Sequence, residues 1–207
     1  MIHRALLLIA ILNYATNVTV AKAGEFNRVL SIGDQAPGWD QLEGVDGKMH
    51  GDEEVAGHSV VVVAFTCNSC PYAVDVEDRL MALSKKAIEL GAVLVAINVN
   101  TIEEDALPAM REKAAERKFE FRYLYDPSQR IAKAFGATTT PEFFVLGPDR
   151  KVAYMGSLDD SPDGTAVTKL YVEMAIADLV EHRSPSVSET VPIGCRIRFA
   201  RVRDKRR

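Results

Sequence analysis

Hydrophobic positions along this chain change their period several times, and each change marks an element. Val60-Val-Val-Val-Ala-Phe65 is uncharged and β-branched, the make-up of a strand buried on both faces. After Pro71 the apolar residues recur at helical spacing: Val74, Leu80, Met81, Leu83, Ala87 and Ile88 fall on one face, and Gly91 ends the run. Ala92 to Val99 reads AVLVAINV, a second buried strand. Thr101 is placed to cap a helix running to about Lys118. Glu103, Glu104 and Asp105 would lie in its first turn, the charge sign that the helix dipole favours. Phe121 to Tyr125 predicts a third strand, and Asp126-Pro127 a short helix stopped by Gly136. Glu142 to Leu146 and Lys151 to Gly156 flank Gly147-Pro-Asp-Arg150, a hairpin pattern, and Thr165 to about His182 predicts a final helix. The order predicts an α/β fold: a central mixed β-sheet with helices on both faces. Its first three strands should be largely parallel because helical crossovers connect them. Ser31 to Gly57, rich in Gly, Asp and Pro, reads as turns and short edge strands.

The ends of the chain depart from this pattern. Met1-Ile-His-Arg4 is short and basic, Ala5 to Leu12 reads ALLLIAIL, and Ala21-Lys22-Ala23 supplies a small-x-small cleavage site. This order predicts a secretory signal peptide over residues 1–23. A retained membrane anchor is the alternative, although Asn13, Thr16 and Asn17 break the apolar run well short of the roughly 20 residues a spanning helix needs. Export, to a periplasm or outside the cell, would place the cysteines where disulfides persist. Residues 24–182 then form one domain and residues 183–207 an extension, as a chain of 207 residues allows. At 47% hydrophobic and 26% charged residues the composition excludes a disordered or multi-pass membrane protein. The net charge of −4 argues against a nucleic-acid partner. It also hides an asymmetry: Arg196 to Arg207 hold seven basic residues and one acid, Asp204, behind an acidic body. Such a tail is either solvated or suited to an anionic surface, such as lipid headgroups or an acidic partner.

Three cysteines carry the candidate chemistry. Cys67-Asn-Ser-Cys70 lies between the first buried strand and its helix, and this spacing lets two sulfurs reach disulfide distance. Cys67 is expected at the helix N-terminus, where the dipole favours the thiolate that attacks in exchange reactions. Cys70, one turn in, would be more shielded and would resolve the mixed disulfide. Half of a zinc site is one alternative, but there is no second CxxC, and His3, His50, His58 and His182 show no ligand spacing. A purely structural disulfide is another, although closing a two-residue loop constrains the unfolded chain little. Cys195 leaves an odd count: a shielded or free thiol, a second resolving partner for Cys67 or Cys70, or an intermolecular bridge. No Gly-rich phosphate loop is present, and no metal, nucleotide or flavin cofactor is expected.

Phe65-Thr-Cys-Asn-Ser-Cys-Pro-Tyr72, with Thr139-Thr140-Pro141-Glu-Phe-Phe-Val145 downstream, resembles the thioredoxin-like superfamily. Ile32-Gly-Asp-Gln-Ala-Pro37, Asp46-Gly-Lys48 and Gly194-Cys-Arg-Ile197 are similar to segments of its redoxin branch, related to alkyl hydroperoxide reductase and thiol-specific antioxidant proteins. The resemblance spans roughly Ser31 to Ile197. It implies a thioredoxin-like three-layer fold, Cys67 as nucleophile, Cys70 as resolving thiol, Pro141 as a cis-proline facing them, and Thr140 presenting backbone to a substrate chain. The chain departs from thioredoxins at Thr66, where they have tryptophan, and at Val61, where they bury an acid. It departs from peroxiredoxins in the placing of the threonine and arginine around their reactive cysteine.

Local charge adds a direction. No basic residue stands between Lys48 and Arg79, whereas Asp52, Glu53, Glu54, Asp75, Glu77 and Asp78 are acidic. Nearby acids oppose a thiolate and make a disulfide less oxidising. The expectation is an exported thiol–disulfide oxidoreductase that donates electrons through Cys67 and Cys70. Its partners would be a protein or small-molecule disulfide and an upstream thiol reductant. The alternatives are a redoxin-type thiol peroxidase reducing hydroperoxides and a redox-inert thioredoxin-like binding module.

Overall fold

A computed structural model describes residues 24–200. The predicted signal peptide and Arg201 to Arg207 of the basic tail lie outside the described residues. The elements run β1 (Leu42–Gly44), β2 (Met49–His50), β3 (Val60–Phe65), α1 (Pro71–Asp75), α2 (Glu77–Glu89), β4 (Ala92–Asn98), α3 (Leu107–Arg117), β5 (Arg122–Tyr125), α4 (Arg130–Phe135), β6 (Thr139–Thr140), β7 (Glu142–Leu146), β8 (Val152–Gly156), α5 (Tyr171–Val180) and β9 (Cys195–Arg196). Seven strands form one mixed sheet in the order β2-β1-β5-β4-β3-β7-β8, and β6 and β9 pair separately. β3, β4 and β5 are parallel, as helical crossovers require. β7 lies antiparallel on the other side of β3, with β8 beyond it.

β3 is the axis of the molecule: all six of its side chains are fully buried. The period of two sends Val60, Val62 and Ala64 to one face, against Leu80 and Leu83 of α2, Met110 of α3 and Ile176 of α5. Val61, Val63 and Phe65 face the other way, against Ile131 and Phe135 of α4. Phe65, Phe135 and Phe144 pack edge to face, with ring centroids 5.1–5.8 Å apart. No helix of the described residues is long and apolar enough to cross a membrane.

Four expected boundaries move, each for a local reason. The helix after Pro71 is interrupted at Val76, whose ψ of −3° departs from the regular helical value of about −42°. The break turns Glu77 inward to pair with Lys113 and Arg117 of α3. Thr101 caps nothing: residues 103–105 form a 3-10 turn, and α3 begins at Leu107 with Pro108 in its first turn. Proline lacks the N–H that a helix interior needs and biases the residue before it away from helical geometry, so a helix from Thr101 cannot run through it. α4 starts at Arg130 because the Asp126 carboxylate accepts the Ile131 N–H at 2.8 Å, holding residues 126–129 in a turn. α5 starts at Tyr171, not Thr165. The Asp160 carboxylate accepts the N–H groups of Thr168 and Lys169, and Asp163 accepts that of Thr165. Such side-chain bonds compete with a helix for the same backbone donors.

Truncating the central aromatic of this core tests the packing. Phe135→Ala is expected to cost about 3–5 kcal/mol, the range for emptying a fully buried aromatic site, measured by denaturant unfolding. A loss below about 1 kcal/mol would show that the aromatic cluster does not hold α4 to the sheet.

Candidate active site

The Cys67–Cys70 loop follows β3 directly, and its conformation is set by a buried carboxylate from the next crossover. Asp105 is fully buried. Its Oδ1 accepts the backbone N–H of Asn68 at 2.7 Å and of Ser69 at 2.9 Å, and its Oδ2 accepts the Ser69 hydroxyl at 2.7 Å and the Asn100 amide at 3.0 Å. Both residues between the cysteines are therefore fixed through their backbone amides. Asn68 is held further: Tyr123 donates to its side chain at 3.0 Å, its own amide donates to the Glu104 carbonyl at 3.0 Å, and Lys113 donates to its carbonyl at 3.1 Å.

This clamp places the sulfurs differently from the expectation. Helix α1 begins at Pro71, so Cys70 is its N-cap and Cys67 stands in the preceding loop. Cys70 is not the more shielded of the two: each is 3% exposed. The Thr140–Pro141 peptide is cis, and Thr140 meets both sulfurs. Its hydroxyl lies 3.3 Å from Cys67 Sγ, and its carbonyl accepts the Cys70 S–H at 3.0 Å. Glu142, just after the proline, is buried and accepts the N–H groups of Thr138 and Thr139 at 2.8 and 3.0 Å, which fixes the turn. The Thr140 backbone edge, expected to receive a substrate chain, is taken by the chain's own β9, with Thr140 opposite Cys195. Cys195 packs against Cys67, Cys70 and Ala73, so the three free cysteines form one cluster.

The two buried thiols share a proton. The S–H of Cys67 donated to Cys70 pulls Cys70 down to about 5, helped by Cys195. The same bond, with burial and the charge of Asp105, pushes Cys67 far above the ordinary thiol range. One ionisation of the pair is thus easy and the second hard, and the two values belong to the pair. When Cys70 carries the proton it donates it to the Thr140 carbonyl, and the Thr140 hydroxyl is then free to donate to Cys67.

The acid that matters here is Asp105, expected from the sequence in the first turn of a helix. Its signal was present in the sequence: Pro108 forbids that helix and leaves Asp105 in a turn next to the β4 terminus. Glu77, expected to oppose a thiolate, is matched instead by Lys113 and Arg117. Arg150 donates to the Val55 and His58 carbonyls, and Arg130 to Ser128. Among the described residues no group of three or more His, Cys, Asp or Glu is arranged to hold a metal.

Solved structures share this architecture. An uncharacterized conserved protein from Geobacillus kaustophilus is 34% identical, with a TM-score of 0.79 over 86% of this chain and 96% of its own. A hypothetical protein from Sinorhizobium meliloti is 28% identical, with a TM-score of 0.78 over 84% and 97%. A thiol:disulfide interchange protein of the thioredoxin family from Chlorobium tepidum, 17% identical, has a TM-score of 0.56 over 72% and 98% and shares the fold. None of the curated proteins matches the chain. The fold is thioredoxin-like. With residues 32–155 matching the AhpC/TSA family model, the chain belongs to the AhpC/TSA family.

Proposed function

We propose that this protein is an exported thiol–disulfide oxidoreductase that donates electrons through Cys67 and Cys70. The observation that carries the reading is the sulfur pair itself: two buried thiols in one cluster, with the loop between them fixed by Asp105 and both sulfurs faced by Thr140. A purely structural cysteine pair has no need of a polar clamp on the two residues between its sulfurs. In exchange, the thiolate of the pair attacks a target disulfide. The second thiol then attacks the mixed disulfide, releasing the reduced target and closing Cys67–Cys70. The reducing direction is supported by the buried negative charge of Asp105, which opposes ionisation of Cys67; the easy first ionisation at Cys70 acts the other way, and the potential measures which prevails. Export is supported by the leader pattern of residues 1–23.

Mapping disulfides by peptide mass across a graded glutathione series, on protein lacking residues 1–23, tests the reading. A Cys67–Cys70 bond with a potential near or below about −250 mV is expected. A bond that never forms would remove the function, and a potential well above that value would reverse its direction. Faster consumption of hydroperoxide than of protein disulfides by the reduced protein would favour the peroxidase alternative.

Removing the buried charge should move the potential. Asp105→Asn keeps an acceptor for the Asn68 and Ser69 amides and deletes the charge. The potential is expected to rise on the order of 30 mV, the equivalent of about one pKa unit. An unchanged potential would show that Asp105 is only a scaffold.

The reduced protein is expected to carry a thiolate at neutral pH. Its ultraviolet absorbance should grow as pH rises through a midpoint well below the ordinary thiol value, and Cys70→Ser should abolish that low-pH step. A single titration at or above about 8.5 would contradict the shared proton.

A further inference from the structure

The pair that does the proposed chemistry is closed off from solvent, yet one thiol in contact with it is not. Cys67 and Cys70 are buried, while Cys195 is partly exposed. β9 delivers Cys195 to this place by pairing with β6, so that Cys195 lies across from Thr140, the residue that holds both sulfurs. The delivery is specific. A Cβ on Gly194 would stand 2.3 Å from the Thr140 carbonyl oxygen and 2.6 Å from its carbon, so only glycine lets the strand approach this closely. On either side the segment is tied to the domain. Ser157 donates to the Val191 carbonyl at 2.7 Å, the Ile197 N–H reaches the Thr138 carbonyl at 2.9 Å, and the Ala200 N–H reaches the Gln129 side chain at 2.7 Å. Ile197 is buried against the core that carries Phe135.

We propose that Cys195 is the outlet of the buried pair, a relay thiol that opens the Cys67–Cys70 disulfide and carries it to the surface. The inference rests on the exchange activity proposed above. In the oxidised protein the Cys195 thiolate attacks Cys70 Sγ, its neighbour in the cluster. The Cys70–Cys195 bond forms as the Cys67–Cys70 bond breaks, and Cys67 leaves with the electron pair and takes up the proton that Cys195 lost. The Thr140 hydroxyl is positioned to donate to the departing sulfur. One disulfide and one thiol stand on each side of the step, so no oxidant or reductant is consumed. An external dithiol then attacks the partly exposed Cys195 sulfur and frees Cys70; its second thiol closes the external disulfide and releases Cys195.

The redox state of the pair controls the relay. In the reduced protein partial burial, the S–H donated to Cys70 and the charge on Cys70 raise Cys195 to about 11 and keep it a thiol. When Cys70 enters a disulfide, its charge is lost and its sulfur becomes a weaker acceptor, so both contributions from Cys70 shrink while burial, the largest cause, remains. Cys195 therefore ionises more readily in the state in which there is a disulfide to open than in the reduced protein.

The test uses protein lacking residues 1–23, oxidised with diamide, quenched with acid and alkylated before peptide mapping. Cys67→Ser is expected to trap a Cys70–Cys195 disulfide. Cys195→Ser is expected to form Cys67–Cys70 normally, but to be reduced at least tenfold more slowly by reduced thioredoxin, with dithiothreitol, a small probe, slowed by less than threefold. Gly194→Ala keeps the thiol and displaces its strand, and should behave as Cys195→Ser does. Unchanged reduction rates in Cys195→Ser, or absence of Cys70–Cys195 from a folded Cys67→Ser variant, would overturn the relay and leave the exchange activity standing. Failure of Cys195→Ser to form Cys67–Cys70 under any oxidising condition would instead overturn the exchange activity itself.

Discussion

A carboxylate sealed beneath the cysteine loop is the constraint on which the rest of the site depends. An unpaired buried charge costs several kcal/mol, so Asp105 demands donors. It takes them from Asn68, Ser69 and Asn100. Satisfying the acid and shaping the loop are one event: the backbone amides of Asn68 and Ser69 both turn toward Asp105. The helix starts at Pro71, and both sulfurs meet Thr140.

Thr140 is the second fixed point. It closes a two-residue strand whose edge would otherwise present unpaired backbone groups. β9 covers that edge, and Glu142 ties down the turn behind it. Three segments distant in sequence, residues 67–70, 139–142 and 194–197, meet in this way at one residue. The extension after α5 is thus part of the site's wall, and residues 188–191 bond to β8 and to the residue that follows it.

Much of this protein was legible in the order of its residues. The buried runs at Val60 and Ala92, the Gly147–Arg150 turn and the helices between them lead to a mixed sheet with helices on both faces, because strand burial and helical periodicity are local patterns. Gly136 ends α4 with a φ of +69°, where an added Cβ would meet Asn27 at 2.3 Å. The boundaries that moved were also local in cause. Pro108 lacks the N–H that a helix interior needs, and Asp126, Asp160 and Asp163 accept backbone N–H groups at the places where simple periodicity assigns a helix.

The sequence by itself determined the fold class, the family pattern and the spacing of the cysteine pair, since each is carried by local patterns of residues. Only the tertiary structure decided which acid lies beside the sulfurs, what matches Glu77 and where Cys195 resides. Those answers depend on groups 36 or more residues away in the chain. Charge and sulfur act through distances of a few ångströms in space, and separation along the chain is silent about such distances until the sheet has closed.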